Sequence, residues 1–120
     1  MTTRIPRDPQ DEAALIPHEL KMRLIHGYVL AQEQGNHVLV TTVKLFDPHS
    51  RWTFYAFEGY EREDGEFAIY GFLHAGGVAE WSTSTLKELE SRRSCLGAPM
   101  QRDKDFRYVT RSAIERGERP

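Results

Sequence analysis

The pair Asp64-Gly65 lies between two aromatic-rich runs and constrains the fold more than any other feature of the sequence. Asp-Gly favours a tight hairpin because both residues tolerate positive φ angles. The flanking runs, from about Trp52 to Tyr60 and from Phe67 to His74, have the aromatic content of β-strands. We therefore predict an antiparallel hairpin with a two-residue turn, in which the numbers of opposing residues add up to 129, as 64 and 65 do.

Further strands extend this hairpin into a predicted meander of three to four strands. Residues 37–46, HVLVTTVKLF, are rich in β-branched residues and bounded by turn signals. Residues 78–83 are a candidate fourth strand, and residues 106–109 are a candidate last edge strand. Short turns between these runs predict antiparallel pairing.

Two helices are expected to pack on this sheet. Apolar residues recur at four-residue spacing from Leu20 to Tyr28, after Pro17, which suits a first helical turn. This helix ends either at Gly27 or, with the glycine inside it, at about Gln34. A second helix near residues 86–93 is predicted by the capping-box pattern Thr85-Leu86-Lys87-Glu88. The chain is thus predicted to be an α+β domain.

Length and composition indicate one domain. We expect residues 1–12 to be a flexible lead, residues 13–110 the single domain, and residues 111–120 a flexible tail. No apolar run approaches the roughly 20 residues that cross a bilayer, and the first residues lack the apolar core of a signal peptide. The single cysteine, Cys95, fits a reducing compartment. A cytoplasmic protein without membrane contact is therefore expected.

The predicted register places Glu58 on an aliphatic face of the hairpin, opposite Gly71. A carboxylate there is costly unless it is hydrogen-bonded. One interpretation is a site acid or a ligand-binding carboxylate. The other, which we favour, is a glutamate bonded to a backbone amide or to an arginine such as Arg62 or Arg102.

The opposite face carries an aromatic cluster made of Tyr55, Phe57, Tyr70, Phe72 and His74. Aromatic side chains on a sheet can stack single-stranded bases or anchor a protein partner. More often another layer buries them. We favour burial, and the two predicted helices are the candidates for the covering layer, for example with one on each face of the sheet.

The motifs of common active sites are missing from the sequence. His18-Glu19-Leu20-Lys21-Met22 begins like a zinc-protease helix but has methionine where the second histidine must be. The remaining histidines lie at spacings that suggest no metal site, and there is neither a P-loop nor a dinucleotide fingerprint. The sequence predicts no cofactor, no metal and no catalytic constellation.

Several segments resemble a family of small bacterial domains of unknown function that are carried on plasmids and integrative elements, often near conjugation and antirestriction genes. The matching pieces are VKLFDPHSRWTFYAFE (43–58), the acidic hairpin, YGF (70–72), AEW (79–81), LKELE (86–90) and LGAPMQRDKDF (96–106). The resemblance implies no established activity or cofactor. It marks Lys44, Trp52, Glu58, Arg102 and Asp103 as candidate binding residues.

Two departures from the family pattern bear on any shared site. An aromatic Gly-Tyr-Phe of the family is Ser82-Thr83-Ser84 in this chain, and a glutamate before Arg-Asp is Gln101. Arg102 and Asp103 also have a structural interpretation, as a local pair that fixes the final turn, and we favour it.

The leading functional hypothesis is a non-enzymatic accessory or binding module of a mobile genetic element. It would act through contacts with an unidentified host or element-encoded protein, and counter-defence against a nuclease or a CRISPR complex is its sharper form. The acidic turn Glu61, Glu63, Asp64 and Glu66 would then contact a basic groove of the target.

Two alternatives belong to other classes of function. The first is single-stranded nucleic-acid binding through Tyr55, Tyr70 and Lys44, although the net charge of −2 does not favour it. The second is an enzyme that uses Glu58 with His74 or Asp103 as acid and base.

Overall fold

The computed structural model describes residues 13–120 and contains the hairpin that Asp64-Gly65 predicts. The expected flexible lead, residues 1–12, lies outside the described residues. In chain order the elements are α1 (His18–Gln34), β1 (Val40–Thr41), β2 (Val43–Phe46), β3 (Thr53–Glu61), β4 (Phe67–Ala75), β5 (Val78–Thr85), α2 (Leu86–Ser91), β6 (Gln101–Arg102), β7 (Val109–Thr110) and α3 (Arg111–Glu115). The α+β prediction is confirmed.

The sheet is larger than predicted. Five antiparallel strands follow the order β5-β4-β3-β2-β6, and β1 pairs with β7 in a separate two-stranded sheet. The predicted strand 37–46 is split because Thr41 interrupts it: its hydroxyl donates to the Ala56 carbonyl and accepts the Val43 N–H at 3.1 Å. A side chain that replaces a ladder bond ends the regular pairing. β1 therefore pairs with β7 instead of continuing into β2.

Helix α1 takes the longer of its two predicted forms. It ends at Gln34 because Gly35 adopts a left-handed conformation, with φ of 73°, and donates its N–H to the Ala31 carbonyl. Gly27 lies inside the helix, where a Cβ would be 2.6 Å from a methyl group of Val38 and 3.4 Å from the Phe57 carbonyl oxygen. The missing side chain thus lets α1 approach β3 closely.

The predicted register of the hairpin was wrong because its loop has three residues rather than two. The Arg62 N–H donates to the Glu66 carbonyl at 2.8 Å, and the Gly65 N–H donates to the Arg62 carbonyl at 3.0 Å. Gly65 has φ of 86°, the left-handed position of a three-residue hairpin loop. Near the loop, the numbers of opposing residues therefore add up to 128, as in the pair Glu61 and Phe67.

A β-bulge shifts the register a second time. Ala56 lies opposite Gly71 and Glu58 lies opposite Tyr70, which leaves Phe57 as the extra residue. The bulge reverses the side alternation of β3 at this point. Glu58 is consequently on the aromatic side of the sheet beside Tyr70, and its predicted place on the aliphatic face opposite Gly71 was wrong.

Two hydrophobic cores lie on the two faces of the sheet. The first core is covered by α1 and α2 and contains Ile16, Leu24, Val43, Leu45, Trp52, Phe54, Ala56, Phe67, Ile69, Leu89 and Met100. The second core contains Tyr55, Phe57, Phe72, Val109, Ala113 and Ile114. Both predicted helices thus pack on the first core, rather than one on each face.

Residues 111–120 complete the second core, whereas the sequence predicts a flexible tail there. Ala113 and Ile114 of α3 are buried against the aromatic side of the sheet. The Arg119 guanidinium lies 4.7 Å from the centre of the Phe72 ring. Charged residues dominate this segment, and Ala113 and Ile114 are its two apolar residues. Its composition therefore does not indicate a packed helix.

Candidate functional site

Four of the candidate residues make contacts within the fold. Lys44 Nζ lies 3.7 Å from an Asp103 carboxylate oxygen, and the Asp103 N–H donates to the Lys44 carbonyl at 2.9 Å. Trp52 is buried in the first core, with the Arg92 guanidinium 4.8 Å from its ring centre. Arg102, on β6, lines a cavity of about 410 Å³. Asp103 therefore pairs with Lys44, and within residues 13–120 the expected local ion pair between Arg102 and Asp103 is absent.

The aromatic side of the sheet is largely covered. Tyr55 and Phe72 are buried, and Tyr55 Oη donates to the Pro120 carbonyl at 2.7 Å. This burial raises the pKa of the Tyr55 phenol above its ordinary value. Tyr70 and His74 remain partly exposed. The centre of the aromatic cluster is therefore buried, as we favoured, while Tyr70 and His74 at its edge are partly exposed. Tyr55 is not accessible for stacking with a nucleic-acid base.

The acidic turn lies at the tip of the β3–β4 hairpin. Lys21 Nζ is 3.8 Å from a Glu61 carboxylate oxygen, and Arg62 lies 2.7 Å from an Asp64 carboxylate oxygen. Asp64 also accepts the Glu66 N–H at 3.0 Å. Glu63 is exposed. Nearby cations thus offset part of the negative charge of this turn.

Glu58 is a buried carboxylate on the aromatic side, with 3% of its surface exposed. Its Oε2 lies 3.0 Å from Nδ1 of His37 and accepts the Val38 N–H at 3.2 Å. The predicted bond to a backbone amide is therefore present, and a histidine takes the place of the predicted arginine. These two bonds offset the desolvation of the carboxylate and fix the orientation of the His37 ring.

His37 is the first member of a stack of planar groups. Its ring centre lies 5.4 Å from that of Tyr70, and the Tyr70 ring lies 5.3 Å from the Trp81 ring at an angle of 16°. The Arg111 guanidinium is 3.8 Å from the Trp81 ring centre and donates to Tyr70 Oη at 3.4 Å. Glu115 lies 3.2 Å from Arg111 Nε. Stacking and hydrogen bonds together hold these groups in one arrangement.

A groove of about 800 Å³ opens beside His37, and we call it the His37 groove. It is lined by Leu30, residues 34–40 and Arg111. Two of its apolar lining residues, Leu39 and Val40, are 69% and 45% exposed. The groove therefore has apolar side chains at its rim and the exposed part of the His37 imidazole in its lining.

The His37–Glu58 pair can act as a hydrogen-bonding group or as an oriented base. In the neutral imidazole, Nδ1 of His37 carries the proton toward the Glu58 carboxylate and Nε2 keeps its lone pair. The residues from 13 onward include no cluster of three or more metal-ligating side chains. Glu58 lies too far from His74 for acid–base chemistry: His74 is opposite Thr53, five residues along β3, or about 16 Å at 3.3 Å per residue.

Sequence reasoning missed His37 as the partner of Glu58, and it missed Trp81 and Arg111 as members of the stack behind His37. The sequence carries a weak signal for His37, because a histidine that directly follows a Gly-Asn turn starts the predicted strand 37–46. No local signal reveals the partnership with Glu58, since it depends on the bulge at Phe57.

Comparisons with known proteins identify a family. The family model described as "Protein of unknown function (DUF2958)" matches residues 15–114. No curated protein and no solved structure matches the chain. None of the helices among residues 13–120 is long and apolar enough to cross a membrane. Because the match covers well over half of the sequence, the chain belongs to the DUF2958 family, and the resemblance to a family of unknown function is confirmed.

Proposed function

We propose that this DUF2958 protein is a binding module of a mobile genetic element, and that it acts through contact with another protein at the His37 groove. The resemblance of residues 43–58 and 96–106 to domains carried on plasmids and integrative elements supports this setting. The contact surface is proposed from the groove, since the sheet is covered by α1 and α2 on one face and by residues 106–120 over the centre of the other.

The apolar rim of the groove is the observation that carries the proposal. Leu39 exposes most of its surface to water and Val40 nearly half, and both line the His37 groove. Burying a side chain of this size against a partner contributes about 1.5–3 kcal/mol. Apolar side chains around a groove with a few oriented polar groups are typical of protein contact sites.

Matched substitutions test this surface. Leu39→Asp places a charge on the rim, and Leu96→Asp places the same charge at a residue that is 75% exposed and outside the groove lining. In pull-downs from a host lysate at physiological salt, the wild-type chain and Leu96→Asp should retain the same protein. Leu39→Asp should retain at most about a tenth of the amount, because the free energy of burying the Leu39 side chain against the partner is lost. Equal retention by both variants, or no specific protein at all, would argue against the proposal.

Counter-defence is the sharper form of the same proposal. The partner would then be a host nuclease or a CRISPR complex, and the acidic turn would add contacts to its basic groove. Expression of the wild-type chain should raise the efficiency with which a targeted plasmid transforms a restricting host. Glu63→Lys, at an exposed position of the turn, should reduce this protection. If efficiency is unchanged by the wild-type chain, counter-defence is excluded for that host while the binding proposal remains.

A catalytic role for the His37–Glu58 pair is a second candidate function. The 3.0 Å contact between His37 Nδ1 and Glu58 Oε2 fixes the orientation of the imidazole. A carboxylate orients the histidine base of a catalytic triad in the same way. Turnover in a screen of ester, amide and phosphate substrates, abolished by His37→Asn, would support catalysis. A screen in which His37→Asn matches the wild-type chain for every substrate would count against it.

A further inference from the structure

We infer that the His37 groove receives one aromatic side chain of the partner, and that this side chain carries a hydrogen-bond donor, as tyrosine and tryptophan do. The inference rests on the proposed function and adds the chemistry of the contact. It depends on three features of His37: the exposed part of its ring, the stack of planar groups behind the ring, and the hydrogen-bonding character of Nε2.

The occupied and free parts of the His37 ring follow from its contacts. The Nδ1 edge faces Glu58 at 3.0 Å, and one ring face lies against Tyr70. The side chain is nevertheless 55% exposed. The exposed part is therefore the Nε2 edge with the opposite ring face, and His37 lines the groove.

The stack behind His37 makes its open face a favourable place for another ring. Tyr70 and Trp81 lie nearly parallel, and the Arg111 guanidinium lies over both rings, 3.8 Å from the Trp81 centre and 5.9 Å from the Tyr70 centre. An aromatic ring on the open face of His37 would continue this series of planar groups. Because Glu58 and Tyr70 already hold the imidazole, little ordering of the groove would be needed on binding.

The polarity of the open nitrogen selects the kind of ring. When the imidazole is neutral, its proton lies on Nδ1 toward the Glu58 carboxylate, and Nε2 is then a hydrogen-bond acceptor. Tyrosine O–H and tryptophan N–H can donate to it, and phenylalanine cannot. Arg111 offers no open donor to an anionic ligand, because Nε faces Glu115, Nη2 donates to Tyr70 Oη, and Nη1, which has no hydrogen-bond partner among residues 13–120, is buried. Leu30, Val38 and Leu39 offer apolar contact to the body of the ring.

Side-chain analogues test the inference on the full chain. The ¹H–¹⁵N spectrum would be titrated with N-acetyl-tyrosinamide, N-acetyl-tryptophanamide and N-acetyl-phenylalaninamide. We expect saturable shifts at residues 37–40, and roughly fivefold tighter binding of the tyrosine and tryptophan amides than of the phenylalanine amide, as one net hydrogen bond provides.

Two variants locate the effect. His37→Phe keeps a ring but removes the acceptor, so the tyrosine-to-phenylalanine ratio should fall to about one. His26→Phe makes the same replacement at an exposed position of α1 outside the groove lining and should keep the fivefold ratio. The wild-type titrations decide the question even if His37→Phe does not fold.

Three results would overturn the inference: no saturable shift in residues 37–40, equal or tighter binding of the phenylalanine amide, or tighter binding of a single-stranded oligonucleotide at the same residues. Failure here can be told apart from failure of the proposed function. If Leu39→Asp loses the partner while the amides do not bind, the surface stands and the aromatic ligand is excluded. If the amides bind while Leu39→Asp keeps the partner, the proposed protein contact is excluded.

Discussion

Replacing Ile114 by alanine tests whether residues 111–120 belong to the folded domain. Ile114 is 1% exposed and packs in the second core with Tyr55, Phe57 and Phe72. If this packing is as tight as the burial indicates, the substitution leaves a cavity beneath the aromatic side of the sheet. A flexible tail would show no such effect.

The expected loss follows from the groups removed. Ile→Ala deletes three carbon groups at about 0.8 kcal/mol each, and the cavity adds to this, which gives about 3 kcal/mol within the usual range of 2–5 kcal/mol. With a urea dependence of about 2 kcal/mol per molar, the midpoint of unfolding should fall by about 1.5 M. Ile114→Val, which removes one group, should cost about 1 kcal/mol.

Urea unfolding followed by tryptophan fluorescence and by circular dichroism measures these shifts. Leu96→Ala is the control, because this exposed leucine should change the free energy of unfolding by no more than about 0.5 kcal/mol. A midpoint for Ile114→Ala that equals the midpoint for Leu96→Ala would refute the packing of α3 on the sheet. The description of the second core would then be wrong.

Three further substitutions test other contacts. Gly71→Ala should cost about 3 kcal/mol in urea unfolding, because its Cβ would lie under 3.0 Å from the Tyr55 carbonyl; Gly77→Ala, with open space around it, should be nearly neutral. Thr85→Ala should cost about 1 kcal/mol by the same assay, since the hydroxyl caps α2 through the Glu88 N–H, and no loss would disprove that cap. Burial raises the pKa of Tyr55, so its contribution to stability is complete below about pH 10, the unfolded value, and is lost as pH rises through the folded value. Tyr55→Phe should therefore lose less stability than the wild-type chain between pH 9 and pH 11, and parallel curves would contradict this.

The local parts of the fold could be predicted because they depend on a few neighbouring residues. Thr85 accepts the Glu88 N–H as its capping pattern predicts, and α2 begins directly after it. Gly35 ends α1 by a conformation that glycine adopts at little cost. The Asp64-Gly65 hairpin exists for the same reason, although the sequence alone does not distinguish a two-residue loop from a three-residue loop.

The candidate site could not be predicted because it depends on two non-local events. The bulge at Phe57 moves Glu58 to the aromatic side, where it meets His37. The pairing of β1 with β7 brings Arg111 to the same groove, from seventy residues away in the chain. Neither the bulge nor the pairing of β1 with β7 produces a repeating pattern in the sequence, because each depends on the packing of both hydrophobic cores.

Completion of the second core by residues 106–120 sets the order in which this protein can mature on the ribosome. Synthesis proceeds at about 5–20 residues per second, so the 48 residues between Phe72 and Pro120 take roughly 2–10 s. During that interval the nascent chain presents Tyr55, Phe57 and Phe72 without their cover. The newborn polypeptide therefore exposes apolar surface until residues 106–120 have emerged, and such surface is prone to aggregation.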